Sequence, residues 1–151
     1  MSQDATLKTL HELIEACKDC EYAFNLYAQH TTTDSLREHY LARAGRCRRI
    51  AQELRIHLIG LGDRADLHGS TWGFMSRLKL RAKAALASTG HPQTWLLECS
   101  RTELTLLTKL RQAMKTGVLP EPVMSALQRH FHAWQHIHGQ MRFLRGLGKA
   151  A

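Results

Sequence analysis

The sequence predicts an all-α protein, a four-helix bundle with an additional short helix in the long crossover between helices two and three. Three observations lead there. Apolar residues recur at three- and four-residue intervals through four long segments. Nothing alternates with period two for long enough to make a strand. The connections between the first and second segments and between the third and last are short, whereas residues 62–91 separate the second from the third. A long connection lets helices two and three run parallel, as in a crossover bundle; an up-down bundle with an extra packed helix is the alternative.

The first helix is expected over residues 4–29, with Leu10, Ile14, Cys17, Glu21, Phe24 and Ala28 on one seam. His30 to Thr33 make a turn, and Thr33 or Asp34 is suited to the N-cap of the second helix. That helix runs to about residue 61, with Leu36, Tyr40, Cys47, Ile50, Leu54, Leu58 and Leu61 apolar, and Gly60 and Gly62 end it. The crossover carries its own helix over about 71–87, with Trp72, Met75, Leu78 and Ala82 inward. The next long helix covers about 92–115, with Leu96, Cys99, Glu103, Leu106, Leu110 and Ala113 on its seam. Gly117 and LPEP punctuate, and Pro122 fits the first turn of a last helix over about 121–146. Its seam reads Met124, Leu127, Phe131, Trp134, His138 and Met141.

One domain spanning 1–151 is the expectation for a chain of 151 residues, with 44% hydrophobic and 23% charged residues. No apolar run approaches the ~20 residues that span a bilayer. The start, MSQDATLKTL, lacks the basic region and apolar core of a secretory signal, so a cytoplasmic, bacterial-type protein is expected, with its thiols reduced. A homodimer or higher homo-oligomer is compatible with the pattern. The net charge of +8 admits polyanion contact, nucleic acid included, through Arg77, Lys79, Arg81 and Lys83; the alternative is a set of solvated helix faces.

The stretch CKDCEYAF places Cys17, Cys20 and Glu21 together. A redox dithiol belongs at an exposed helix N-terminus, where the dipole lowers the thiol pKa, and this pair lies mid-helix. A structural zinc site wants a second knuckle, and Cys47 and Cys99 stand apart. Core filling is the reading that fits Cys17, Cys47 and Cys99 on their seams. Attention therefore moves to Glu21. A bundle core penalises a lone carboxylate unless it is paired or bound to metal.

Glu21 and Glu103 lie on core seams, Glu53 lies beside one, and His138 lies on the last, so four helices could share a polar layer. Two readings stay open. One is a metal centre holding Fe, Mn or Zn at Glu21, Glu53, Glu103 and His138, with His57 as a further ligand one turn after Glu53. The other is a metal-free hydrogen-bonded or ion-paired layer. Di-iron bundles use two lone Glu residues and two Glu-x-x-His motifs. Here Ile56 follows Glu53 at i+3, and Gln135 stands three before His138. The run RHFHAWQHIHG also puts His132 and His136 on one face, a pair able to bind transition metals adventitiously. A phosphate-binding Gly loop, a nucleophile elbow and a His-Glu-x-x-His helix are all missing.

The blocks LHELIEACKDCEYAF, RCRRIAQELR, LLECSRTE, LPEPV and HGQMRFLRGL resemble the bacterial ferritin-like domain family of unknown function, related in fold to rubrerythrins. The resemblance runs over roughly residues 7–147. It implies a ferritin-like bundle with an extra crossover helix, and no established activity. Glu21 falls at the family's Lys-Asp-Gly-Glu block with Cys20 in place of glycine, and Glu53, Glu103 and His138 fall at its recurring Glu, Glu and His positions. Ser100 replaces a residue that is often acidic. The functions in view are a metal-binding, iron- or oxidative-stress-related bundle, a non-enzymatic stress or partner-binding bundle, and a basic polyanion-binding oligomer.

Overall fold

A computed structural model describes residues 3–63, 92–117 and 119–150. They form four helices, α1 (Gln3–His30), α2 (Asp34–Gly60), α3 (Pro92–Lys115) and α4 (Glu121–Ala150), with no strand among the described residues. The crossover helix expected over 71–87, and with it Arg77, Lys79, Arg81 and Lys83, lies outside the described residues. No described helix is long and apolar enough to cross a membrane.

The α1–α2 turn is held by Arg37. Its guanidinium donates to the carbonyls of Thr31 at 3.0 Å and Ala28 at 3.4 Å, and pairs with Asp34 at 2.7 Å. Ala28 is in the last turn of α1 and Thr31 directly follows that helix, where no intrahelical donor remains, so a side chain from the next helix closes the turn. Thr33 takes the N-cap position but makes no side-chain cap bond. Gly62 (φ 89°) and Gly117 (φ 67°) leave α2 and α3 through left-handed backbone, which an L side chain would strain. Pro122 sits in the first turn of α4, as its sequence position predicts.

Pairings between helices give their directions. Gln3 and His11 reach Leu61 and Asp63, so the start of α1 meets the end of α2. Tyr27 meets Thr102 and packs on Trp95, while Thr9 and Leu13 share a groove with Ala113 and Thr116. Thus α1 is antiparallel to both α2 and α3, and α2 and α3 point the same way. In turn α4 runs against α2 and α3, with Glu53 beside His130 and Glu103 beside His138. Packing is closest for α1 on α2, then α3 on α4 and α1 on α3; α2 and α4 meet only sparingly.

The core is one cluster of apolar side chains from all four helices. Its largest members are aromatic: Phe24 stacks on Trp134 at 5.9 Å, and Tyr27 meets Tyr40 edge-on at 5.8 Å. Each such side chain, fully buried, contributes about 1.5–3 kcal/mol in apolar transfer. The α3 seam is as expected, with Leu96, Cys99, Glu103, Leu106, Leu110 and Ala113 all buried. On α4 the phase differs. Val123, Ala126, Leu127, Trp134 and Ile137 are buried, whereas Met124, Phe131 and His138 are half-buried, so the inward stripe is turned by about one residue.

Candidate functional site

The polar centre of the bundle is built on α2 and α3. Glu103 comes from the middle of the α3 seam, and its side chain is 0% exposed. Opposite stands Arg43 of α2, 5% exposed, whose Nε donates to Glu103 Oε2 at 3.2 Å. Arg43 lies three residues after Tyr40 and four before Cys47, so helical geometry turns its stem inward with theirs. Its Nη1 donates to the carbonyl of His39 at 3.1 Å. The other carboxylate oxygen, Oε1, receives the Cys99 thiol at 3.9 Å and has His138 Nδ1 at 3.8 Å.

Around the pair lies a polar belt: Tyr27 OH and Thr102 Oγ1 share a hydrogen bond of 3.1 Å, and Thr102 Oγ1 donates to the carbonyl of Glu98 at 2.9 Å. Burial pushes the Glu103 carboxyl up to about 7, and the Arg43 charge opposes that shift without cancelling it. Burial, then the Arg43 charge, lowers the His39 imidazole.

The remaining predicted ligands are placed elsewhere. Glu21 is not at the centre of the α1 seam: its side chain is 22% exposed, and Arg48 Nε donates to it at 2.8 Å. Cys20, its neighbour, takes the inward place with no exposure. Two successive residues on a helix point about 100° apart, so only one of them can face the core squarely. Glu53 stands at the α2–α4 surface, where Arg129 Nη2 and His130 Nε2 both approach its carboxylate at 2.6 Å. Partial burial opposes the charge on Glu53, but the hydrogen bonds from Arg129 and His130 prevail and hold its carboxyl below the usual range. His57 is half-buried one turn beyond Glu53 and makes no side-chain hydrogen bond among the described residues.

Each of the three predicted carboxylate ligands therefore faces an arginine, and only Glu103 and His138 are brought near one another. As placed, this donor set does not fit an ion cage. Among the described residues, no group of three or more His, Cys, Asp or Glu is arranged to hold a metal. A guanidinium within 3.2 Å of the buried carboxylate also supplies the positive charge that a metal would bring.

All four cysteines are free and buried, with Cys17, Cys20, Cys47 and Cys99 at 0% exposure. Burial raises the thiols of Cys17, Cys47 and Cys99 well above the ordinary value, which makes them inert filling.

Residues 5–116 match the family described as Domain of unknown function (DUF2383). The chain belongs to this family. The DUF2383 match takes in α1, α2 and α3, and so holds Glu21, Arg43, Glu53 and Glu103, whereas Arg129, His130 and His138 lie on α4 beyond it. No curated protein matches the chain.

Four participants, Arg43, Arg48, Arg129 and His130, are not among the site residues expected from sequence. Arg43 lies three residues after Tyr40 and four before Cys47, a spacing that puts it on their seam. Arg129 and His130 carried no signal of their own, because their role depends on a partner more than seventy residues away (76 and 77 positions).

Proposed function

We propose that this chain is a ferritin-like four-helix bundle whose polar core layer is closed by ion pairs rather than by metal, and that it works as a non-enzymatic stress or partner-binding protein. The ferritin-like reading is supported by the parallel α2 and α3, joined across a long connection as in crossover bundles. The metal-free reading rests on one observation, the buried contact between Arg43 Nε and Glu103 Oε2 at 3.2 Å. A two-metal carboxylate site needs its acids to balance cationic metals, and here arginines on neighbouring helices balance them instead.

The competing reading, an Fe, Mn or Zn centre at Glu21, Glu53, Glu103 and His138 with His57 added, has one point in its favour. Cys99 and His138 both lie near Glu103 Oε1, at 3.9 and 3.8 Å. It requires Arg43, Arg48 and Arg129 to swing away from the carboxylates they hold.

Elemental analysis decides between them. Protein purified without a histidine tag is loaded with Fe(II), Mn(II) or Zn(II), desalted, and compared with Glu21→Ala and Glu103→Ala. The proposal expects no stoichiometric metal in any of the three proteins. One metal or more per chain in the wild type, lost in Glu103→Ala, would establish the metal centre.

A further inference from the structure

Where α2 and α4 meet sparingly, a cleft of about 220 Å³ opens between them. Its α2 wall is formed by Arg46, Arg49 and Ile50, and its α4 wall by His130, Ala133 and Trp134. Arg46 and Arg49 are three residues apart and so project from the same side of α2. Both are exposed, and neither is ion-paired among the described residues. The other two arginines in this part of α2 are engaged, Arg43 with Glu103 and Arg48 with Glu21. Glu53 also lines the cleft, and its carboxylate is already matched by Arg129 and His130. The two unpaired guanidiniums are therefore in excess at this place, and they repel one another.

The rest of the wall is apolar. Ile50 and Trp134 are buried, Trp134 to 1% exposure, and among the described residues the Trp134 indole N–H has no hydrogen-bond partner. A buried donor left unmatched is destabilising by about 1–3 kcal/mol, so sites that keep one call for explanation.

We propose that this cleft binds a small phosphomonoester, its phosphate held by Arg46 and Arg49 and its apolar body lying against Ile50, Ala133 and Trp134. Two adjacent guanidiniums match a phosphomonoester, which carries about −1.5 to −2 charge at neutral pH, better than they match a single carboxylate. Their planar forks give bidentate contacts to the oxygens. The cleft is too small and too short of cations for a nucleic-acid strand, which is tracked by a long basic groove. The inference does not depend on whether metal is bound in the core: Arg46, Arg49, Ile50, Ala133 and Trp134 are not among the expected metal donors, and only Glu53 belongs to both sets.

Isothermal titration calorimetry of the full chain at low ionic strength tests it, with phenyl phosphate as probe beside inorganic phosphate, benzoate and phenol. Phenyl phosphate is expected to bind at one site per chain, at least tenfold more tightly than each of the other three. Arg46→Gln with Arg49→Gln should weaken it by ~10- to 100-fold, the range for losing charge-assisted hydrogen bonds. Both arginines are exposed, so circular dichroism should report an unchanged fold in that variant. Trp134→Phe should remove the fluorescence change on titration while keeping most of the affinity. Absence of binding to phenyl phosphate overturns the proposal. So does affinity unchanged in the folded double-arginine variant, or equal affinity for inorganic phosphate, which would mean that the apolar wall takes no part.

Discussion

Arg43 and Glu103 face each other inside the bundle, one from α2 and one from α3, with Nε 3.2 Å from Oε2 and neither side chain more than 5% exposed. Sixty residues apart in sequence, they link the two parallel helices by a charge pair within the apolar core. Burying both charges is expensive, and losing either partner leaves the other stranded in the core.

That burial gives the pair a pH signature. The folded-state pKa of Glu103 is raised to about 7 from an ordinary value of 4.5, so between these values the folded protein binds the proton that the unfolded chain has released. The contribution of this group to stability is fully present below about pH 4.5 and is lost as pH rises through 7. Denaturant unfolding of wild type against Glu103→Gln should show a difference that grows against wild type by roughly 2–3 kcal/mol from pH 4.5 to 8. A difference independent of pH would refute the raised carboxyl.

Glu53 should behave in the opposite sense. Its carboxyl is held below 4.5 by Arg129 and His130, so its stabilising contribution is present above that value and is lost as pH falls below it. Glu53→Gln should shift the acid-unfolding midpoint toward neutrality by a small amount. At pH 7 it should cost no more than about 1 kcal/mol, as befits a partly exposed pair. A loss of several kcal/mol would mean that Glu53 is part of the core layer after all.

The cysteines should be silent. With Cys17, Cys20, Cys47 and Cys99 all free and fully buried, a thiol reagent added to the native protein should label none of them rapidly. In denaturant all four should titrate. Fast labelling of Cys17 or Cys20 in the native protein would reopen the reading of CKDC as a redox pair.

Trp134 is the largest fully buried side chain among the described residues and stacks on Phe24 at 5.9 Å. Trp134→Ala should destabilise by about 3–5 kcal/mol, the usual range for emptying an aromatic site. Phe24→Ala in the same background should then cost less than it does alone, because the two rings share the contact. Strict additivity would mean that the rings do not support one another.

The long helices and most of the core were readable from periodicity, and on α3 the agreement extends to every seam residue. Periodicity is weaker at fixing rotation to better than one residue. On α1 a path through Cys20 and a path through Glu21 both satisfy three- and four-residue steps, and packing chose Cys20. The same ambiguity moved His138 to the edge of α4 while Ile137 went inward. Arg43 escapes notice for a different reason. Arginine is rarely buried unless paired, and the partner that pulls it inward lies on another helix. Pairing of charges across a bundle is a tertiary event without a local sequence mark, so Arg48, Arg129 and His130 were equally out of reach.

The most direct test of the account is a double-mutant cycle on Arg43 and Glu103 at pH 8, using Arg43→Met, Glu103→Leu and the pair of changes together. The ion-paired core predicts that each single change costs about 3–5 kcal/mol, while the double variant recovers much of that loss, giving a coupling of about 2 kcal/mol or more. If the two single losses simply add in the double variant, Arg43 is not the counter-charge of Glu103, and the ion-paired core is wrong.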